Sequence, residues 1–152
     1  MKINTKVRYG LRVMMELGLH DNKSGMYQKE IAHNQKLSEK YLDPIIAALK
    51  VSGLIMNFSG KKSGYFIGKS KSEITVYDIY RTFEPDFEIS HCPKIPATCF
   101  IKRMCVANEI WMGLNDVMSN YLKKITLDDI IKKHKKIKRY IAEENRAVEH
   151  LK

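Results

Sequence analysis

The sequence, 152 residues long, lacks any long hydrophobic run. Its longest uncharged apolar stretch falls far short of the roughly 20 residues that a membrane-spanning helix needs. Residues 1–4 do not begin a signal peptide, which needs a basic segment followed by a long apolar stretch. Glycine and proline are scarce, at 8 and 4 residues, which excludes low-complexity and globally disordered chains. We therefore expect a soluble, cytoplasmic protein that buries a core and does not bind membranes.

Cysteine is equally scarce, with three in the chain. An odd number of thiols in a reducing compartment does not favour a disulfide framework, so these residues are either core residues or functional ligands. No C-x-x-C motif occurs, and no histidine and aspartate are placed to activate a thiol nucleophile. No repeat with a period of roughly 20 to 50 residues is visible. The sequence thus predicts one ordinary domain that is not an enzyme.

Acidic residues are outnumbered: 27 lysines and arginines against 17 aspartates and glutamates give a formal net charge of +10. Such an excess points to a polyanionic partner, most often a nucleic acid. The densest basic run surrounds His134 and consists of Lys132, Lys133, Lys135, Lys136, Lys138 and Arg139. Because glutamates follow it, we interpret this run as a solvated helical tail rather than as a dedicated DNA-binding arm.

Hydrophobic periodicity predicts three helices in the first third of the chain. The first covers residues 5–19 with Thr5 as its cap, and the second covers residues 28–34. The third opens with good capping chemistry at Ser38 and continues to about Ser52. Two strand-like runs follow, at residues 54–58 and 65–68, around a segment rich in glycine and lysine.

This order of elements predicts a winged helix-turn-helix, which inserts the second helix of its turn motif into the major groove of DNA. The alternative is a small α+β domain whose helices only pack against each other. The position of the charges favours DNA binding, because Lys36, Lys40, Lys61 and Lys62 all fall on elements that would face the duplex.

The second half of the chain is predicted to be helical around one loop. Residues 72–83 have helical spacing, residues 84–98 contain three prolines without periodicity, and residues 100–122 form a long helix that is apolar enough to need a partner. Such a helix after a winged domain predicts a homodimer on a palindromic operator in double-stranded DNA. Residues 126–131 are predicted to form a short capped helix.

The predicted fold class is therefore mostly α with a small β-hairpin: a winged helix-turn-helix plus a long dimerisation helix. We divide the chain into a DNA-binding domain (1–84), a cysteine-bearing sensor loop (85–103), the dimerisation helix with the short helix after it (104–131), and a basic C-terminal helical tail (132–152).

All three cysteines, Cys92, Cys99 and Cys105, lie within one short stretch with C-x6-C-x5-C spacing. Thiolates are soft ligands that suit iron–sulfur clusters, zinc or copper(I), and loop spacing lets them converge on one centre. Structural zinc usually draws on tighter cysteine pairs, so a cluster is the better metal hypothesis. The alternative, that the cysteines are small buried hydrophobic residues, suits Cys105 on the apolar side of a helix better than it suits the other two.

Several segments taken together resemble the IscR/NsrR-type transcriptional regulators of the bacterial Rrf-two family. These are residues 1–10 (MKINTKVRYG), 41–42 (YL), 53–55 (GLI), 64–69 (GYFIGK), 74–79 (ITVYDI) and 125–127 (ITL). The resemblance covers nearly the whole chain. It implies a homodimeric DNA-binding regulator, predicted to act as a repressor, that carries a [2Fe-2S] or [4Fe-4S] cluster on the three cysteines.

The fourth cluster ligand is where this chain departs from the family. Members of the IscR kind have a histidine three residues after the third cysteine, where this chain has Asn108. Nitric-oxide-sensing members use an acidic residue in the first helix, roughly where this chain has Arg8. Glu109, His91 or a small exogenous ligand are the alternatives, and a labile fourth position would favour a reactive sensor.

The resemblance also implies DNA contacts from Ser38, Lys40, Tyr41 and Asp43 on the recognition helix. An aspartate there can accept a hydrogen bond from a cytosine amino group. Many members begin the wing with an arginine that enters the minor groove. This chain has Ser59 at that position, so Lys61 or Lys62 must supply the charge.

The resemblance favours a function as a sensor of redox state, nitric oxide or iron status through the cluster. A regulator of the same family without a cluster, controlled by a partner protein or a metabolite as in its cysteine-metabolism members, stays open as the alternative.

Overall fold

The structure is a computed structural model that describes residues 3–20, 25–57, 64–84 and 104–149. Within these ranges the chain forms six α-helices and one two-stranded antiparallel sheet, which confirms the predicted mostly α fold with a small hairpin. The elements are α1 (Thr5–Leu19), α2 (Gln28–Gln35), α3 (Glu39–Val51), β1 (Ile55–Asn57), β2 (Tyr65–Ile67), α4 (Val76–Phe83), α5 (Val106–Lys123) and α6 (Leu127–Glu149).

The helices α1, α2 and α3 occupy the predicted positions, but the cap of α1 differs from the prediction. Asn4, not Thr5, caps α1: its side-chain oxygen accepts a hydrogen bond from the backbone N–H of Lys6 at 2.9 Å. At α3 the prediction is confirmed, because the hydroxyl of Ser38 accepts from the N–H of Tyr41 at 3.2 Å.

A tight turn joins α2 to α3. Lys36 has a left-handed backbone conformation with φ of 53°, and the N–H of Leu37 donates to the carbonyl of Ala32 at 2.9 Å. This closure satisfies a carbonyl at the end of α2 and reverses the chain within three residues. α2 and α3 are thereby set as the two helices of a helix-turn-helix.

The hairpin follows α3 directly. Gly53 ends the helix with φ of 70°, a conformation that favours glycine. β1 and β2 then pair with Met56 opposite Phe66, and both strands are shorter than the sequence predicts. The tip is predicted at residues 59–64, and of these only Gly64 is among the described residues.

α4 begins at Val76, so the prediction of a start at residue 72 is wrong. The hydroxyl of Thr75 accepts from the N–H of Asp78 at 3.1 Å, and the Asp78 carboxylate accepts from the N–H of Thr75 at 2.8 Å. This reciprocal capping box satisfies two backbone donors and fixes the start of the helix there.

α5 also begins later than the predicted residue 100. Cys105 has extended backbone angles and occupies the N-cap position, so it precedes the helix rather than lying within it. Residues 85–103, the whole of the predicted sensor loop, lie outside the described part of the chain.

α6 is one helix of 23 residues. The prediction of a short helix that ends before the basic run is therefore wrong, whereas the helical state of that run is confirmed. Residues 127–149 contain neither glycine nor proline, so nothing in the backbone interrupts the helix. Of the helices within the described ranges, none is long and apolar enough to cross a bilayer.

The core lies between the helices of the winged domain and includes the first turns of α6. Its fully buried side chains include Met14, Ile31, Leu42, Ile45, Leu49, Ile74, Ile79 and Leu127. Ile131 of α6 is also buried against α1. The two helices approach closely there, because a Cβ atom at Gly18 would lie 2.5 Å from Cδ1 of Ile131.

Candidate nucleic-acid interface

The four residues predicted to contact DNA from the recognition helix lie together at the exposed beginning of α3. Ser38 is the N-cap, Lys40 and Tyr41 are in the first turn, and Asp43 follows one turn later. All four are solvent-exposed. The hydroxyl of Ser38 already caps the helix, and the first-turn amides beside it can approach a phosphate as helix N-termini do.

The aromatic ring of Tyr41 is supported by α1. Its ring meets Tyr9 edge to face, with the ring centroids 5.5 Å apart. The guanidinium carbon of Arg12 lies 5.2 Å from the centroid of Tyr9, and that of Arg8 lies 6.0 Å from it. Two cations therefore flank the ring that holds Tyr41 in place.

Arg12 also fixes α1 to the end of α2. Its Nε donates to Oε1 of Gln35 at 2.7 Å, and its terminal nitrogen donates to the carbonyl of Gln35 at 2.8 Å. The sequence interpretation missed this cluster of Arg8, Tyr9 and Arg12. The available signal was the pair of exposed arginines one helical turn apart on α1.

Asp43 is held by a residue outside α3. The side-chain amide of Gln28, at the start of α2, donates through Nε2 to Oδ1 of Asp43 at 2.5 Å and to the carbonyl of Glu39 at 3.3 Å. Tyr65 of β2 donates through its hydroxyl to Oε1 of Gln28 at 3.5 Å. Gln28 thus connects α2, α3 and the wing, and sequence reasoning did not identify it.

The structure describes the two strands of the wing, β1 and β2, but not residues 58–63 between them. Ser59, Lys61 and Lys62 lie outside the described residues, so their predicted contacts stay predictions. The strand that returns from the tip carries Tyr65, whose ring lies 6.0 Å from Nζ of Lys50 on α3. An exposed lysine therefore stands between the recognition helix and the base of the wing.

The chain is similar to known transcriptional regulators. Residues 3–133 match the sequence model of the Rrf2 (Rrf-two) family, whose members are described as iron-dependent transcriptional regulators. The chain belongs to the Rrf2 family of helix-turn-helix transcriptional regulators. The predicted fold class and the resemblance are thereby confirmed, and regulation of transcription through DNA binding is the activity of the family.

Individual relatives agree with this assignment. The chain is 32% identical over 130 residues to the transcriptional regulator CymR of Bacillus subtilis, covering 86% of this chain and 89% of CymR. The solved structure of CymR, described as the global cysteine regulator of B. subtilis, matches with a TM-score of 0.70 and covers 87% of this chain and 97% of that one. T. potens IscR matches with a TM-score of 0.69 at 30% identity and covers 88% of each chain.

Of the three cysteines of this Rrf2 protein, only Cys105 falls within the described residues. Its thiol is half-buried and free, and its side chain makes no capping hydrogen bond. One turn later, the N–H of Asn108 donates to the carbonyl of Cys105 at 3.1 Å. The Asn108 oxygen Oδ1 is buried and has no hydrogen-bond partner among the described residues.

Cys92 and Cys99 lie outside the described residues, so their convergence with Cys105 stays a prediction. Within the described ranges, no three histidine, cysteine, aspartate or glutamate side chains are grouped as a metal site would need.

α5 of this Rrf2 protein presents an apolar face to solvent. Five apolar side chains, spaced three or four residues apart on one side of the helix, are exposed, with the largest exposure, 68%, at Val106. They are Val106, Ile110, Leu114, Val117 and Tyr121. The opposite side of the helix packs against α4 and buries Asn115. No described residue covers the apolar face, and a contiguous exposed apolar surface commonly marks an interaction site.

The basic run of α6 points away from the core after Ile131. Lys132, Lys133, Lys135, Lys136, Lys138 and Arg139 are all exposed. Nζ of Lys132 forms an ion pair of 2.7 Å with Asp128 one turn earlier. This i,i+4 pairing is the kind expected of a solvated helix face.

Proposed function

We propose that this Rrf2-family protein is a homodimeric sensor that binds a two-fold-symmetric operator and responds to an iron–sulfur cluster held by Cys92, Cys99 and Cys105. The observation that carries the proposal is the free thiol of Cys105 at the start of α5, the helix whose other face is apolar and exposed. A ligand at this position touches the element that would join two copies.

The DNA-binding part of the proposal rests on α3. Ser38, Lys40, Tyr41 and Asp43 stand together on its exposed first turns. Lys40 supplies charge for phosphate, and Asp43 supplies an acceptor for a cytosine amino group in the major groove. In the wing, Lys61 and Lys62 supply positive charge for phosphate, because Ser59 stands where many family members have an arginine.

The dimer part rests on α5. Its 18 residues extend about 27 Å. That length allows the five exposed apolar side chains, spaced three or four residues apart, to contact a second copy together. A typical stable interface buries roughly 800 Å² on each partner, and this stripe would form its apolar centre. A two-fold axis that passes between the two paired α5 helices would also relate the two α3 helices, as a symmetric operator requires.

The residues at the start of α5 fit a cluster. Cys105 occupies the N-cap of α5, and a helix N-terminus favours negatively charged groups such as a thiolate-ligated cluster. The unpartnered Oδ1 of Asn108 one turn later shows a polar atom in this region that the described residues leave unsatisfied. When bound, a cluster supplies iron that reacts with oxidants and with nitric oxide.

The protein residues transmit a change at the cysteines through two connections. The segment that carries Cys92 and Cys99 joins the end of α4 to Cys105 and α5. The start of α4 is in turn bonded to the start of α6 at the DNA-binding core. A shift of α5 against α4 therefore changes the separation of the two recognition helices. A difference of about 1 to 3 kcal/mol in DNA affinity between the two states is a typical allosteric coupling.

The test is purification without oxygen, followed by an ultraviolet-visible spectrum and by iron and acid-labile sulfide analysis. We expect a visible chromophore with both elements present, lost on nitric oxide treatment and absent from the variant Cys105→Ser. Protein that lacks iron and sulfide after anaerobic reconstitution would contradict the cluster. Selection of bound duplexes from a randomised library tests DNA binding independently of it.

The second candidate is a regulator of the same family that works without a cluster. The observation in its favour is the 32% identity to CymR, whose structure is described as that of a cysteine regulator. In this case the protein selects a DNA sequence equally well with and without iron, and its affinity changes on addition of a metabolite or a partner protein.

A further inference from the structure

The side chain of Gln28 occupies a position that connects three elements of the DNA-binding domain. It is half-buried at the start of α2, whereas Asp43 beside it is exposed on α3. Both partners are distant in sequence, since 15 residues separate Gln28 from Asp43 and 37 separate it from Tyr65. The contact is therefore a product of the tertiary fold.

Both polar atoms of the Gln28 side-chain amide are engaged by other residues. A primary amide has two N–H donors, and here they face Oδ1 of Asp43 and the carbonyl of Glu39. The amide oxygen accepts from the hydroxyl of Tyr65. With both donors engaged, Gln28 has none left for a base edge while these bonds persist.

The same contacts restrict Asp43. An exposed aspartate rotates freely about two side-chain bonds, and fixing it upon DNA binding costs conformational entropy. The bond from Gln28 holds Oδ1 in advance and leaves Oδ2 as the acceptor that can meet a base. Prior fixation of this kind increases discrimination because the correct partner no longer has to order the side chain.

We propose that Gln28 is a positioning residue that sets base specificity: it orients the Asp43 carboxylate so that Oδ2 accepts from the amino group of a cytosine in each half-site. This inference rests on the proposed DNA contact of Asp43. Because Gln28 also bonds Tyr65, the orientation of Asp43 depends on the position of β2 and therefore on the position of the wing relative to α3.

The experiment starts from duplexes that the full-length protein selects from a randomised library. Affinities are then measured for the four base pairs at the position where Asp43→Ala loses discrimination. We expect the unaltered protein to favour cytosine by about tenfold, within the range of one good base contact. Gln28→Met, similar in length but without hydrogen bonds, should reduce that preference at least about threefold and leave the other positions unchanged.

A double-substitution cycle shows whether Gln28 acts through Asp43. If it does, Gln28→Met has no further effect on base preference in the Asp43→Ala background. An additional loss of preference in that background would mean that Gln28 reads a base itself, and would overturn the inference. The matched control is Asn34→Leu, which also removes a side-chain amide from α2, but one that bonds Glu16 of α1 and should leave this base preference intact.

The outcomes separate this inference from the proposed function. If the unaltered protein selects no sequence, the DNA-contact assignment of α3 fails. If it selects a sequence and Gln28→Met retains the full cytosine preference, only the role of Gln28 fails. Should Gln28→Met not fold, Tyr65→Phe removes a single hydrogen bond to Gln28, and we expect about a twofold weaker preference from it; an unchanged preference would count against the inference.

Discussion

The backbone N–H of Leu127 donates a 2.8 Å hydrogen bond to the carbonyl of Ile74. Beside it, the N–H of Val76 donates to the carbonyl of Ile125 at 2.8 Å, and Thr75 and Thr126 form an antiparallel bridge. The beginnings of α4 and α6 are thus joined by backbone bonds. The chain leaves the DNA-binding domain after α4 and returns to it at α6. The elements that precede and follow α5 are therefore attached to each other.

The contribution of α6 to the core can be measured at Leu127, whose side chain is fully buried. We expect Leu127→Ala to lower the free energy of unfolding by about 2 to 5 kcal/mol, because it leaves a cavity at the centre of the domain. Ile141→Ala on the same helix is the control, since that side chain is half exposed and should change stability by less than about 0.5 kcal/mol. Urea unfolding followed by circular dichroism measures both, and equal effects would mean that α6 does not complete the core.

The capping box at the start of α6 predicts a dependence of stability on pH. Hydrogen bonds from the hydroxyl and the N–H of Thr126 hold the pKa of Asp129 below its ordinary value. Because the folded state favours the ionised carboxylate, its stabilising effect is present above about pH 4 and is lost as the pH falls below that value. Asp129→Asn should therefore lower the urea midpoint at pH 7, and the difference from the unaltered protein should shrink as the pH falls below about 4.

Asp116→Asn on α5 is the control for this experiment, because Asp116 has no such hydrogen bonds among the described contacts. It should shift the midpoint equally at all these pH values or not at all. A constant difference between Asp129→Asn and the unaltered protein over the whole pH range would contradict the role of the ionised carboxylate.

The apolar face of α5 predicts the oligomeric state. Ile110→Glu combined with Val117→Glu places two charges where the second copy would pack, and burying unpaired charges is costly. We expect a dimer for the unaltered protein and a folded monomer for the double variant, by light scattering after size exclusion. Val51→Glu is the control, because Val51 is 91% exposed on α3, away from this face. A monomeric unaltered protein would rule out dimerisation through α5.

The wing lysines are expected to contribute charge without base selectivity. Lys61→Ala with Lys62→Ala should weaken binding to all sequences alike and flatten the dependence of affinity on salt, since each lost phosphate contact lowers the slope by about 0.9. Lys135→Ala with Lys136→Ala removes the same charge from α6 and should leave the slope nearly unchanged if that helix face is only solvated. A loss confined to one operator position would instead assign base readout to the wing.

Local chemistry made much of the fold predictable. Ser38 is predictable as a cap because the hydroxyl and the amide that it serves lie within one turn of each other. The start of α4 was misplaced because several hydroxyl residues precede it, and only the pairing of Thr75 with Asp78 distinguishes the true cap.

Contacts between distant segments were not predictable from periodicity. The short apolar run that contains Leu127 has the same pattern whether it packs on the core or pairs with another copy. Its bond to Ile74 depends on how the whole chain folds. The same holds for Gln28, which has no motif of its own and gains its role only when α3 and β2 approach it.

The burial of Leu127 and Ile131 has a consequence for biosynthesis. The hydrophobic core that supports the recognition helix is incomplete until these residues, which follow α5 in the chain, leave the ribosome. The DNA-binding half therefore cannot reach full stability on its own during synthesis. It also cannot be exchanged between regulators as a module that ends at Glu84, because such a fragment would lack the residues that close its core.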